Sequence, residues 1–297
     1  MNIIRKWSWL VIVVTVFSLI FMAGCSGSKG VQSGSKDSAG APLTIKVLDV
    51  GQGDAILIRT KDQVVLVDTG DVPARDKLIS MLKAQGITTI DKLIITHPHA
   101  DHIGGAADVF KNFTVKQIYD SGQKTTSNLY RQYLTQIQKK GIPFTVVSAG
   151  MTIELGNETI LKVLAPETPF IGGSEPDLNN NSIVAKLVYR NFSILLTGDA
   201  ESESEERMLK KDAAILNSTL LKSGHHGSRT SSSAAFLQAV TPEAALISLG
   251  ANNEYHHPHP STLKKYKEKK IEVYRTDTDG TLTVTSDGKT YTITKER

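Results

Sequence analysis

The sequence predicts an α/β layered fold with a functional loop at the end of one strand. Three observations carry this. Short apolar runs of strand length alternate with a segment of helical periodicity between residues 76 and 86. One of those runs, Leu93-Ile94-Ile95, is followed at once by Thr96-His97-Pro98-His99-Ala100-Asp101-His102. In layered α/β folds, sites sit at strand ends. Hydrophobic residues at 40% and charged residues at 22% allow a sizeable core.

The chain opens with Arg5 and Lys6, then an uncharged apolar run from Trp7 to Gly24. Met22-Ala23-Gly24-Cys25 looks like a bacterial lipobox, with small residues before the only cysteine. Residues 1–25 are therefore read as a lipoprotein signal peptide with Cys25 as the lipidated residue; an uncleaved membrane anchor is the alternative. On either reading the rest of the chain lies on the extracellular face of the cell membrane. Cys25 is then neither a disulfide partner nor a metal ligand. Removing residues 1–24 takes away Arg5 and Lys6 and no acidic residue, so the excess of positive charge falls below the +4 of the whole chain. Charge alone therefore does not argue for nucleic acid. Residues 26–41, rich in Gly, Ser, Lys and Ala, read as a flexible tether.

The folded domain is expected over residues 43–297. Thr44–Leu48, Ala55–Ile58 and Val64–Val67 read as strands. Gly51-Gln52-Gly53 reads as a tight turn, because no helix start follows it. Asp68 closes the third strand, either orienting a ligand histidine or serving as a turn residue. Asp76 to Gly86 reads as a helix capped by Asp76, and Lys92–Thr96 is the strand before the histidine cluster. There, His97 and His99 point the same way in an extended segment, and Asp101 and His102 can face a second metal position. Imidazole with carboxylate suits zinc, manganese or iron.

Val115–Tyr119 reads as a strand, Ser127–Lys140 as a helix, and Phe144–Val147, Met151–Glu154 and Thr159–Leu164 as short strands. Tyr119, Tyr130 and Tyr133 either pack in the core or stack on bases. Asn179 and Ser182 precede the strand Ile183–Tyr189, as possible ligand and support or as part of an Asn-rich turn. The strand Phe192–Leu196 ends in Thr197-Gly198-Asp199, a carboxylate placed to bridge two metals. A helix over Ser202–Lys211 carries acidic residues in its first turn. The strand Thr219–Lys222 delivers His225-His226-Gly227-Ser228, and one of the two histidines completes the second metal. Ala244–Ser248 is a strand, followed by His256, His257 and His259. Ser261 is expected to cap a basic helix running to Lys270, either a solvated face or an anionic-polymer contact. Strands at Glu272–Arg275, Thr281–Thr285 and Thr290–Thr294 close the chain.

The stretch Leu48-Asp49-Val50-Gly51-Gln52-Gly53-Asp54-Ala55, then Asp68-Thr69-Gly70, the His97–His102 cluster, Thr197-Gly198-Asp199, Lys222–Ser228 and His257-Pro258 occur in that order. Together they resemble the metallo-β-lactamase superfamily, and within it the extracellular hydrolase domain of the ComEC competence proteins that internalise DNA. The resemblance covers about residues 43 to 295. It implies an αββα four-layer sandwich and two divalent metal ions, zinc or manganese. His97 and His99 would hold the first; Asp101, His102 and His225 the second; Asp199 and a hydroxide would bridge them. Asn179 and Ser182 match the ComEC pattern where other members carry a third histidine. His226 and Ser228 would lie beside the substrate phosphate or leaving group. His257, with His259 second, would donate to a leaving oxygen. Asp101 counts as catalytic as well as metal-ligating.

The substrate implied is extracellular DNA. The alternatives are a phosphodiesterase on cell-wall or teichoic-acid polymers, a small ester or lactam hydrolase, and a scaffold that binds without turnover. The membrane is met through the N-terminal lipid, and no protein partner is inferred.

Overall fold

The computed structural model describes residues 43–172 and 177–297. The signal segment with Cys25 and the 26–41 tether lie outside the described residues. Among the described residues, no helix is long and apolar enough to cross a membrane.

Among the described residues, two mixed sheets face each other. The first runs in spatial order Tyr291–Lys295, Leu282–Ser286, Leu43–Val47, Ile56–Thr60, Val64–Val67, Lys92–Ile95, Ile118–Asp120 and Phe144–Val146. Its pairs are antiparallel up to Val64–Val67 and parallel beyond. The second runs Glu272–Arg275, Ala244–Ile247, Leu220–Lys222, Phe192–Leu196, Val184–Tyr189, Thr159–Ala165 and Thr152–Glu154. Here the strands from Phe192–Leu196 to Glu272–Arg275 are parallel. Sequence pattern follows pairing: Leu43–Val47 alternates buried and half-buried residues, whereas Ala244–Ile247 is buried throughout.

Three apolar layers hold the sandwich together. Between the sheets, Ile45, Ile58, Val65 and Ile94 pack with Leu161, Leu187, Ile194 and Leu246. On the outer face of the first sheet, Leu66 and Leu93 meet Leu78 and Leu82 of helix Arg75–Ala84, Phe110 of Ala106–Asn112, and Tyr133 of Asn128–Lys140. On the outer face of the second, Leu221 and Ala245 meet Met208 of Ser202–Asp212, Phe236 of Ala234–Val240 and Tyr266 of Pro260–Glu268. Each fully buried side chain of this kind is worth about 1.5–3 kcal/mol. The layers are helix, sheet, sheet, helix, the αββα arrangement.

Several local expectations are corrected. Asp76 does not cap its helix; Asp71 caps a preceding 3₁₀ turn, accepting from the Val72 amide at 2.6 Å. The strand expected over Val115–Tyr119 is split. Thr114–Val115 pairs with Thr89–Ile90 in a separate ladder, and Ile118–Asp120 joins the first sheet. Tyr130 and Tyr133 are buried, and the Tyr133 hydroxyl donates to Asp120 Oδ2 at 3.0 Å, so neither offers a face to a base. Helix Pro260–Glu268 is capped by His259, not Ser261: the Ser261 amide donates to His259 Nδ1 at 3.2 Å. Helix Ala234–Val240, capped by Ser233, was not expected.

Candidate metal centre

The site residues leave the C-terminal ends of parallel strands from both sheets, the usual place for a site in an open α/β layer. Val64–Val67 delivers Asp68 and Lys92–Ile95 delivers His97 to His102. Phe192–Leu196 delivers Asp199, and Leu220–Lys222 delivers His225 and His226. Gly53 makes the meeting of these loops possible. A Cβ there would sit 2.3 Å from the Asp101 carbonyl oxygen, so only glycine fits at φ +110°.

Ligand atoms of Asp101, His102, Asp199 and His226 lie within 4.8 Å of one another. His226 Nε2 is 3.2 Å from Asp101 Oδ2 and 3.5 Å from Asp199 Oδ2. His102 Nε2 is 3.3 Å from Asp199 Oδ2. Beside this group, His97 Nε2 and His99 Nδ1 approach to 3.0 Å, and His97 Nε2 is 3.9 Å from Asp199 Oδ2. Asp199 thus stands between the two sets of histidines.

Supporting contacts fix the rings. Asp68 Oδ2 accepts from His102 Nδ1 at 2.8 Å, and its oxygens also accept from the Thr96 amide and hydroxyl. The Ser248 carbonyl accepts from His226 Nδ1 at 2.8 Å, so His226 Nε2 faces the carboxylates. The Asp199 amide donates to Ser182 Oγ at 3.3 Å. Behind His226, Lys222 Nζ lies 2.7 Å from Asp54 Oδ2, an ion pair closed to solvent.

The buried carboxylates and histidines shift one another's protonation. Burial raises Asp199, but His226 and His102 outweigh it and hold the carboxyl well below its usual range. Burial works against a charged His226, yet Asp199 and Asp101 push it up to about 10. His102 rises for the same reason, burial being overcome by Asp199, then Asp101 and Asp68. His97 falls well below the usual imidazole range through burial and the neighbouring His102. His99 falls through burial.

The residues fit divalent cations on a separate count. Asp199 Oδ1 and Asn179 Oδ1 are buried and have no hydrogen-bond partner, and His102 Nε2 has only the 3.3 Å approach to Asp199 Oδ2. Such groups are costly to leave unsatisfied. Nitrogen and oxygen donors of this kind converging on one spot are a divalent-metal donor set.

His225 and His226 differ in place. The resemblance assigned His225 to the second metal, but the grouped donors include His226 instead. His225 Nδ1 lies 2.8 Å from Glu201 Oε1, and its Nε2 is 3.9 Å from Asp199 Oδ2. Both residues adopt left-handed backbone, φ 46° and 53°. This strained pair of turns brings the His226 ring closer to Asp101 and Asp199, while His225 Nε2 stays 3.9 Å from Asp199 Oδ2. Asp68 is left-handed too, at φ 58°.

The remaining candidates line the rim or support it. His257 packs edge-on against His225, its ring centroid 5.5 Å away. Burial, then His225 and His226, bring it down to about 4, so it is neutral at pH 7. Its Nδ1 is unpartnered. His259 Nδ1 is engaged in the helix cap. Ser228 bonds to Thr230 within its turn, at 2.9 Å between hydroxyls. Glu201, Asp54 and Lys222 were not singled out from sequence. Glu201 accepts from Thr230 Oγ1 at 3.0 Å and Asn179 Nδ2 at 3.4 Å as well as from His225.

Residues 48–251 match the family model described as the metallo-β-lactamase superfamily. The chain is 32% identical over 286 residues to ComE operon protein 3 of Bacillus subtilis (strain 168), covering 90% of this chain and 34% of that protein. It is 33% identical over 240 residues to competence protein ComA of Neisseria gonorrhoeae, covering 80% of this chain and 31% of that one. The chain thus spans about a third of the length of these relatives. Among solved structures, the metallo-β-lactamase fold protein YhfI from Bacillus subtilis superposes with a TM-score of 0.55 at 14% identity. That match covers 81% of this chain and 99% of YhfI, a likeness of fold. On the family match and the clustered donors, the chain belongs to the metallo-β-lactamase superfamily of hydrolases, with competence proteins among its relatives.

Proposed function

We propose that this protein is an exported, lipid-anchored, metal-dependent phosphodiesterase that cuts extracellular DNA. The observation that carries the reading is the convergence of Asp101, His102, Asp199 and His226 beside His97 and His99. Similarity to competence proteins over most of the chain supports DNA as the polymer. Anchoring rests on the Met22–Cys25 motif.

In this reading His97, His99 and Asn179 hold one divalent ion, zinc or manganese. Asp101, His102 and His226 would hold a second, and Asp199 lies within reach of both sets of donors. Bound there, the ions supply Lewis acidity and a water acidified to near neutrality. The chain's own groups do the rest. Asp68 and the Ser248 carbonyl fix the tautomers of His102 and His226, keeping Nε2 of each toward the site. Asp199 and Asp101 keep the floor of the site negative, which draws cations in. Glu201 holds His225 by its Nδ1, which leaves Nε2 on the side of Asp199 as a hydrogen-bonding group beside the reacting phosphate. Neutral His257 stands beside it as a hydrogen-bonding group.

The test is cleavage of labelled single- and double-stranded DNA by the full-length protein with added manganese or zinc. A variant carrying His97→Ala and Asp101→Ala is the control. Metal-dependent cutting lost in the control is expected. No cutting of either DNA by protein that has bound metal would point to wall polymers or small esters.

A further inference from the structure

Next to the donor cluster lies a cleft of about 240 Å³, lined by Gln52, Asp71, Asp101, Asn253, Glu254 and Tyr255 among others. It is small for a ligand site, below the roughly 300 Å³ at which such pockets begin, so it holds about one ring system with a sugar. Three of its lining residues are carboxylates and none is lysine or arginine. Asp101 would be taken up by the metal, but Asp71 and Glu254 remain to repel a phosphate, and an uncharged group with hydrogen-bond donors is not repelled.

Tyr255 is the aromatic group of this cleft and is 56% exposed. One side of its ring lies against His257, with centroids 5.8 Å apart and planes 29° from parallel. Its loop is braced. Asn253 Nδ2 donates to the Gly250 and His257 carbonyls at 2.9 and 2.7 Å, and Asn253 Oδ1 accepts from the His257 amide at 2.9 Å. The Gly250 amide donates to Gln52 Oε1 at 3.2 Å across the cleft floor. An exposed aromatic held on a tied loop is a stacking platform that needs little ordering on binding.

We propose that this cleft is a nucleoside subsite, in which Tyr255 stacks on the base next to the scissile phosphodiester. The placement follows from Asp101, which lines the cleft and also stands in the donor cluster. The acidic walls bar a further phosphate, so the subsite takes a single nucleoside. A base inside duplex DNA cannot reach the ring without unstacking and unpairing, so the subsite selects single-stranded DNA. This inference rests on the phosphodiesterase reading.

The experiment compares a short single-stranded oligonucleotide with the same backbone made of abasic residues. Initial rates are measured with manganese for the full-length wild type, Tyr255→Phe and Tyr255→Ala. Tyr255→Ala is expected to raise KM for the base-bearing strand about tenfold, in line with the loss of one base–aromatic stack. KM for the abasic strand should not move, and Tyr255→Phe should behave as wild type. Unchanged KM for both strands in Tyr255→Ala, in a wild type that cuts both, overturns the subsite alone. A wild type that cuts neither strand removes the phosphodiesterase reading and the subsite with it.

Discussion

His102 Nδ1 lies 2.8 Å from Asp68 Oδ2, and both side chains are closed to solvent. The carboxylate takes three hydrogen bonds at once, from His102 and from the amide and hydroxyl of Thr96. It therefore fixes the direction in which His102 offers its other nitrogen. Asp68→Asn has one acceptor oxygen for these three donors. Metal affinity should fall about 10- to 100-fold, read by manganese titration, with the secondary structure retained by circular dichroism.

Protons and cations compete for the same atoms, so metal binding should release protons. His226 is raised to about 10 and His102 is raised as well. Apparent manganese affinity should therefore climb with pH, by about tenfold per unit for each proton displaced. Calorimetry in buffers of different ionisation enthalpy counts those protons. The metal-free protein should show the reverse trend in stability. A raised histidine stabilises the fold fully below its ordinary value near 6.5 and loses that contribution as pH rises through about 10. Melting temperature in chelator should fall over that window.

Lys222 and Asp54 form an ion pair with no exposed surface on the lysine. Lys222→Met leaves a buried carboxylate without its counter-ion, at a cost of about 3–5 kcal/mol. Adding Asp54→Asn removes the orphaned charge and should restore a large part of that loss in urea unfolding. If the double variant is as unstable as the single one, the pair does not act as a unit.

Glu201 gathers His225, Thr230 and Asn179 around one carboxylate oxygen. Glu201→Gln keeps the shape but replaces a charge-assisted contact to His225 with a neutral one. We expect kcat on DNA to drop about tenfold with little change in KM, the pattern of a group that serves the reacting state. A change confined to KM would place Glu201 in substrate binding instead.

The sequence carried the layered fold well where patterns are local. Leu93-Ile94-Ile95 stops abruptly before four donors, and that contrast alone marked the site. Asp199 was legible for the same reason, a carboxylate after Gly198 at the end of a buried strand. Which of His225 and His226 lies in the tight donor group was not. Which ring comes closer to the carboxylates depends on two consecutive left-handed residues, and nothing in His-His-Gly-Ser announces that backbone. Lys222 did leave a signal, a charged residue closing the apolar run Leu220-Leu221, which calls for a buried partner. That partner, Asp54, lies far away in sequence and needs the fold to be found. Glu201 was hidden among the acidic residues of a helix start, where the dipole already accounts for negative charge. His259 and Ser261 exchanged roles because a histidine ring can cap a helix as a serine does.

The most direct measurement is the metal content of the manganese-loaded protein after gel filtration, for wild type, His226→Ala and His225→Ala. We expect about two ions per chain in wild type, about one in His226→Ala, and about two in His225→Ala. A wild type that retains no metal, or a His225→Ala variant that loses an ion while His226→Ala keeps both, would contradict the metal centre described above.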